Sequence, residues 1–307
     1  MTLDASHLKG MFPALPTPFR ADASVDEAKI EQLTEHLIAS GAAGLVPIGG
    51  TGEYTAMSSE QRTHAVAATV RAAHGRVPVI AGVLSPGYAE ALEAGQTYMS
   101  AGADALLLIT PFYARPTADT LRAYFKQYAK ESKAPLLLYD IGARTGVNVA
   151  PETVSAMADD HSIIGMKVCN TDLVYFERLA NLMEHRIGLL SGDDYLYPIH
   201  AMLGAHGGIL ASSILLPTYW EAISNQARNG DYIGAQRARS MILPLLDALF
   251  SQTNPGPLKA ALRLNGMEFG DVALPLAPAD NTLICRLDTI MRDLARRGID
   301  DLSSLKQ

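Results

Sequence analysis

Short, nearly continuous apolar runs alternate along this chain with longer amphipathic stretches. The apolar runs fall at residues 11–15, 44–49, 77–83, 105–110, 135–141, 163–168, 187–191 and 208–212, many of them bounded by Gly or Pro. Such runs are how parallel strands buried on both faces read.

The intervening stretches carry helix starts. Asp26 precedes Glu27–Ile30, with apolar positions following at Leu33, Leu37 and Ile38. Ser58-Ser59-Glu60 opens a second helix, with Ala65, Val66, Thr69 and Val70 on its inner face. Thr117 opens one that contains Leu121, Tyr124 and Phe125, and Pro151-Glu152 is the Pro-then-acid start of another. Gly41 and Gly102 stand where helices end before the next strand.

Eight strands, each followed by a helix, predict an α/β fold of the (β/α)8 TIM-barrel type over residues 1–229. Residues 230–307 read as helices only, at 232–249, 257–264 and 282–297, and are expected to form a C-terminal helical extension packed on the barrel. A doubly wound open sheet is the competing architecture. It would place a Gly-rich phosphate fingerprint after the first strand, where this chain has Pro16-Thr17-Pro18.

Composition narrows the function classes. The chain has 307 residues, 48% hydrophobic and 19% charged, with a net charge of −7. Nucleic acid and anionic membrane are not expected partners, because phosphate binding needs clustered Lys and Arg. The apolar runs are about seven residues long, too short for a bilayer, and residues 1–10 have no apolar core of a signal peptide. Two cysteines, Cys169 and Cys285, in so long a chain fit a reducing compartment, so a cytoplasmic location is expected.

In a barrel the site assembles from the C-terminal strand ends. There the chain places Gly49-Gly50-Thr51-Gly52-Glu53, Pro111-Phe112-Tyr113, Tyr139-Asp140, Arg144-Thr145-Gly146, Lys167, and Ser191-Gly192-Asp193-Asp194. Of eight lysines, Lys167 alone lies inside an apolar strand, Ile163–Val168. Burial there is expected to lower its pKa and leave a nucleophilic amine. A lysine paired with a barrel carboxylate, or one whose stem reaches water, gives the same pattern.

The turn at 49–52 is either an anion cradle of backbone N–H groups or a tight connection. Tyr139 reads as chemistry or packing, and Arg144 as a bidentate carboxylate clamp or a solvated charge. Asp193-Asp194 could suggest Mg2+, but no second acid cluster matches it, and no metal is expected.

Taken together the motifs resemble the dihydrodipicolinate synthase / N-acetylneuraminate lyase family. The similarity runs from Gly10–Phe19 through the motifs just named to Thr253-Asn254-Pro255-Gly256-Pro257-Leu258-Lys259, over nearly the whole chain. It implies a class I lyase in which Lys167 forms an imine with pyruvate, with no metal or organic cofactor because the lysine is itself the electron sink. By the same resemblance Tyr139 shuttles protons, and the N–H groups of Gly50 and Thr51 hold the pyruvate carboxylate. Tyr113 reaches into a neighbouring subunit's site, Arg144 receives the second substrate's carboxylate, and Ile209 lies against pyruvate. A homotetramer or homodimer is implied.

Departures bear on the substrate. Gly50 stands where the synthase branch has a hydroxyl residue linking two tyrosines, and Thr51 is the residue that could compensate. Asp140 stands where the synthases usually have Asn, and Val168-Cys169-Asn170 replaces their usual residues after the lysine. Condensation of pyruvate with aspartate semialdehyde is the leading expectation. Aldol cleavage or dehydration of a 2-keto-3-deoxy sugar acid is the alternative, because Gly50 resembles that branch. A non-catalytic keto-acid-binding barrel is the third.

Overall fold

The computed structural model describes residues 3–301. Seven parallel strands lie in one curled sheet: β1 (Gly10–Met11), β2 (Ile80–Val83), β3 (Ala105–Ile109), β4 (Leu136–Asp140), β5 (Gly165–Val168), β6 (Gly188–Ser191) and β7 (Gly207–Gly208), in the order β1-β7-β6-β5-β4-β3-β2. The expected strand at 44–49 closes the gap between β1 and β2. It does so through isolated parallel bridges, Ala14 to Val46 and Leu45 to Val79, instead of a full ladder.

The reason is local. Pro13, Pro47 and Pro78 carry no N–H, so hydrogen bonds form only around them. The N–H groups of Ala43 and Val46 donate to Met11 and Pro13, while Leu45 donates to Pro78. Ile80 and Gly82 donate back to Leu45 and Pro47. The sheet therefore closes into the (β/α)8 barrel.

The helix starts are where side-chain oxygens meet orphan N–H groups. Asp26 accepts from Lys29 N, Thr117 from Thr120 N, and Ser58 forms a capping box with Gln61. Pro151 occupies the first turn of Pro151–Asp159. Gly41 and Gly102 both have positive φ, at 93° and 98°.

One expected helix, 232–249, is two: Tyr232–Met241 and Leu243–Leu249. Pro244 cannot donate to the preceding turn, so the chain breaks at Ile242 and restarts with proline in the first turn. With Gly256–Leu264 and Asn281–Arg296 these helices pack on the outside of the barrel. Leu245, Leu258 and Ala261 share one apolar cluster with Met11, Leu45 and Val79 of the wall.

The far end of the barrel is stoppered. Leu8 is fully buried, and Gly165 and Gly188 leave it room, since a Cβ on either would come within 2.5 Å of its side chain. Access is thus from the C-terminal strand ends. No described helix is long and apolar enough to cross a membrane.

Candidate active site

Strands β4 and β5 set Tyr139 directly opposite Lys167 in parallel register. Side chains alternate across a strand, and these two open onto a cleft of about 610 Å³ at the C-terminal mouth. The cleft is lined by Gly50, Thr51, Tyr139, Arg144, Lys167 and Ile209, so six of the seven expected site residues converge. Tyr113 does not join them. It sits on an outer loop with φ 70° and 97% exposure, and it does not line the cleft of its own chain.

Lys167 is 8% exposed, and its Nζ lies 4.6 Å from the centre of the Tyr139 ring. Burial pushes the ammonium down, but the ionised forms of Tyr139 and Cys169 and the carboxylate of Asp194 push it up, and the sum is a raised value. The depression expected from burial alone is therefore corrected: the acidic groups around the strand end outweigh it. Burial also holds the Tyr139 phenol and the Cys169 thiol in their protonated forms at neutral pH. With the phenol protonated it cannot take the ammonium's proton, so a neutral amine is reached only when that proton leaves to water or to the substrate.

Asp194 owes its place to the segment after β7. The expected strand 208–212 stops at Gly208, and Ser212–Ile214 turns into a short 3-10 helix. There the Ser212 N–H and hydroxyl donate to Asp194 at 2.8 and 2.5 Å, and Trp220 Nε1 donates to the Ser212 oxygen at 2.9 Å. This relay holds a buried carboxylate near the lysine. The Asp193-Asp194 pair was visible in sequence, but its hydrogen-bonded supports were not.

The turn after residue 48 shows a different preparation. Gly52 and Tyr54 donate their N–H groups to Gly49 O, and Glu53 donates to Gly50 O. Among the described hydrogen bonds none uses the N–H of Gly50 or Thr51. Two adjacent N–H groups without partners at the cleft are what a carboxylate oxygen requires. The Thr51 hydroxyl accepts from Asn254 Nδ2 at 2.9 Å, which ties the turn to the C-terminal segment. Asn254, Cys169 and Asp193 line the cleft as well, though sequence reasoning gave none of them a substrate contact.

A buried lysine paired in register with a tyrosine at the mouth of a (β/α)8 barrel, beside unpaired backbone donors, defines the class of imine-forming class I lyases. Within that class the chain belongs to the dihydrodipicolinate synthetase family, whose model matches residues 7–293. It is 35% identical over 290 residues to a 4-hydroxy-tetrahydrodipicolinate synthase of Syntrophus aciditrophicus, covering 94% of this chain and 99% of that one. To the synthase of Sorangium cellulosum it is 36% identical over 292 residues, covering 94% and 97%. Among solved structures it superposes with a TM-score of 0.90 on a chloride-inhibited dihydrodipicolinate synthase of Acinetobacter baumannii complexed with pyruvate. That similarity is at 31% identity and covers 95% of this chain and 99% of that one.

Proposed function

We propose that this chain is a lyase of the 4-hydroxy-tetrahydrodipicolinate synthase type, condensing pyruvate with aspartate semialdehyde through an imine on Lys167. The observation that carries the reading is Lys167 facing Tyr139 in one cleft with the free N–H groups of Gly50 and Thr51. In this reading the two N–H groups take the keto-acid carboxylate and the lysine amine attacks the ketone carbon. Tyr139 passes the proton needed to expel water and form the imine. Loss of a methyl proton gives the enamine, whose carbon adds to the aldehyde while Arg144 holds the acceptor's carboxylate. Ile209 supplies an apolar wall. The lysine itself is the electron sink, so no separate cofactor is required, and the chain acts in the cytoplasm.

Tyr113, exposed at the rim, serves a neighbouring copy in a homodimer or homotetramer, and sedimentation of the purified chain tests that assembly. The activity itself is tested by borohydride reduction with pyruvate followed by mass spectrometry of the Lys167 peptide, and by turnover with aspartate semialdehyde. An unmodified Lys167 would remove the covalent mechanism, and trapping without turnover would remove the acceptor.

One observation favours a second substrate, a 2-keto-3-deoxy sugar acid whose own ketone would form the imine on Lys167 before cleavage or dehydration. Gly50 offers no hydroxyl to Tyr139, and a Cβ built there would stand 3.9 Å from the Tyr139 oxygen, so the place a side chain would fill beside Tyr139 is open. The same assay with such acids discriminates the two.

A further inference from the structure

A second buried lysine lies on the other side of the turn. Lys259 and Glu53 form an ion pair at 2.6 Å with side chains 4% and 0% exposed. The other Glu53 oxygen accepts from Ala273 N at 2.6 Å. Lys259 Nζ also donates to Asp271 O at 3.1 Å and stands 4.4 Å from the centre of the Phe19 ring. All these partners except Glu53 and Phe19 belong to the C-terminal segment.

Burying two charges costs more desolvation than an apolar pair of the same volume would, so stability alone does not account for the arrangement. Its location does suggest a role. Glu53 is the residue that ends the turn, held in the left-handed region at φ 62° and ψ 31°. Two residues before it is Thr51, whose hydroxyl is gripped by Asn254 of the same C-terminal segment. Between them Gly52 O accepts from the buried Thr17 hydroxyl at 3.0 Å. These contacts fix the turn at Thr51, Gly52 and Glu53, while the N–H groups of Gly50 and Thr51 have no partner among the described hydrogen bonds.

We propose that Glu53 and Lys259 are positioning residues for the keto-acid site: their buried ion pair locks the left-handed end of the 49–53 turn to the C-terminal segment and so aims the Gly50 and Thr51 N–H groups at the substrate carboxylate. The inference rests on the keto-acid reading above. The pair touches no substrate and acts only through the turn.

The test is the pyruvate dependence of borohydride trapping at Lys167, with steady-state kinetics and Tm, in the wild type and in the double variant Glu53→Gln/Lys259→Met, which removes both charges and keeps the volumes. The expected result is a pyruvate half-saturation raised about tenfold or more, kcat at saturating pyruvate lowered no more than about threefold, and an unchanged KM for the second substrate. A merely structural pair would lower Tm and the active fraction together and leave half-saturation where it was, and that outcome overturns the proposal. Should the double variant not fold, Glu53→Gln alone still offers an oxygen to Ala273 N. It is expected to raise half-saturation about threefold or more, and an unchanged value in that folded variant is equally fatal. Wild-type protein that is never trapped would sink the keto-acid reading and this proposal with it, whereas wild-type trapping with unshifted variants sinks the positioning role alone.

Discussion

Tyr139 and Lys167 are register partners on adjacent parallel strands, and the lysine nitrogen lies 4.6 Å from the centre of the tyrosine ring. Neither strand needs to move for the two groups to exchange a proton through a bound substrate or one water. Replacing the phenol with Phe at 139 keeps the ring against the lysine stem and removes only the proton carrier. The expected loss in kcat is about a hundredfold or more, with Lys167 still trapped by borohydride after longer incubation. Wild-type rates of imine formation in that variant would mean the proton travels another way.

Gly192 guards the same lysine from the neighbouring strand end. A Cβ there would fall 2.2 Å from Cys169 Sγ and 2.9 to 3.0 Å from Lys167 Cε and Cγ. Gly192→Ala therefore has to displace the nucleophile's stem, and misplacement by about 1 Å costs on the order of a hundredfold in rate. Adding Cys169→Ala removes the sulfur but not the contact with the lysine methylenes. Rescue in a kcat/KM assay should be partial, and full rescue would show that the sulfur alone carries the conflict.

Lys167 was legible in sequence because a strand of otherwise apolar residues isolates a single charge. Its relation to Tyr139 was not, since register between strands 28 positions apart is set by the closed sheet and not by any local spacing. Barrel closure was half legible: the apolar run at 44–49 was visible, while the prolines that reduce it to bridges act through hydrogen bonds missing from its neighbours. The break at Ile242 had a local sign in Pro244 that the helical period concealed. Lys259 is hard to read because it sits in the helix Gly256–Leu264 and its ion-pair partner, Glu53, lies some two hundred residues away. Isolation in an apolar run reveals a buried charge to the sequence, whereas burial by a distant partner does not.

Asp140, next to Tyr139, gives stability a pH dependence. It is 1% exposed, its Oδ1 has no partner, and burial raises its carboxyl from 3.8 to about 7 against a weak hydrogen bond from Tyr175 at 3.4 Å. The folded protein thus binds a proton that the unfolded chain has lost between pH 4 and 7. Stability from this group is fully present below about pH 4 and declines as pH rises through about 7. Asp140→Asn cannot ionise, so its Tm at pH 8 should exceed the parent's, with a limit on the order of 4 kcal/mol that shrinks toward zero on acidification. An equal Tm difference at pH 5 and pH 8 would show that Asp140 does not titrate in this range.

Gly50 decides how much of the cleft belongs to the acceptor. Its φ is not positive, and a Cβ would meet nothing nearer than the Tyr139 oxygen at 3.9 Å, an ordinary contact. Gly50→Ser should therefore fold with Tm changed by no more than a few degrees, as substitutions without a clash do. Its hydroxyl, one bond beyond that Cβ, comes within hydrogen-bonding reach of Tyr139 and offers the proton a second carrier. If aspartate semialdehyde is the acceptor, kcat with it should hold or rise, while any turnover of a 2-keto-3-deoxy sugar acid falls as the open space fills. The opposite pattern, with semialdehyde turnover lost and sugar-acid turnover kept, would assign the empty place beside Tyr139 to the sugar acid's hydroxyl groups and reverse the choice of substrate.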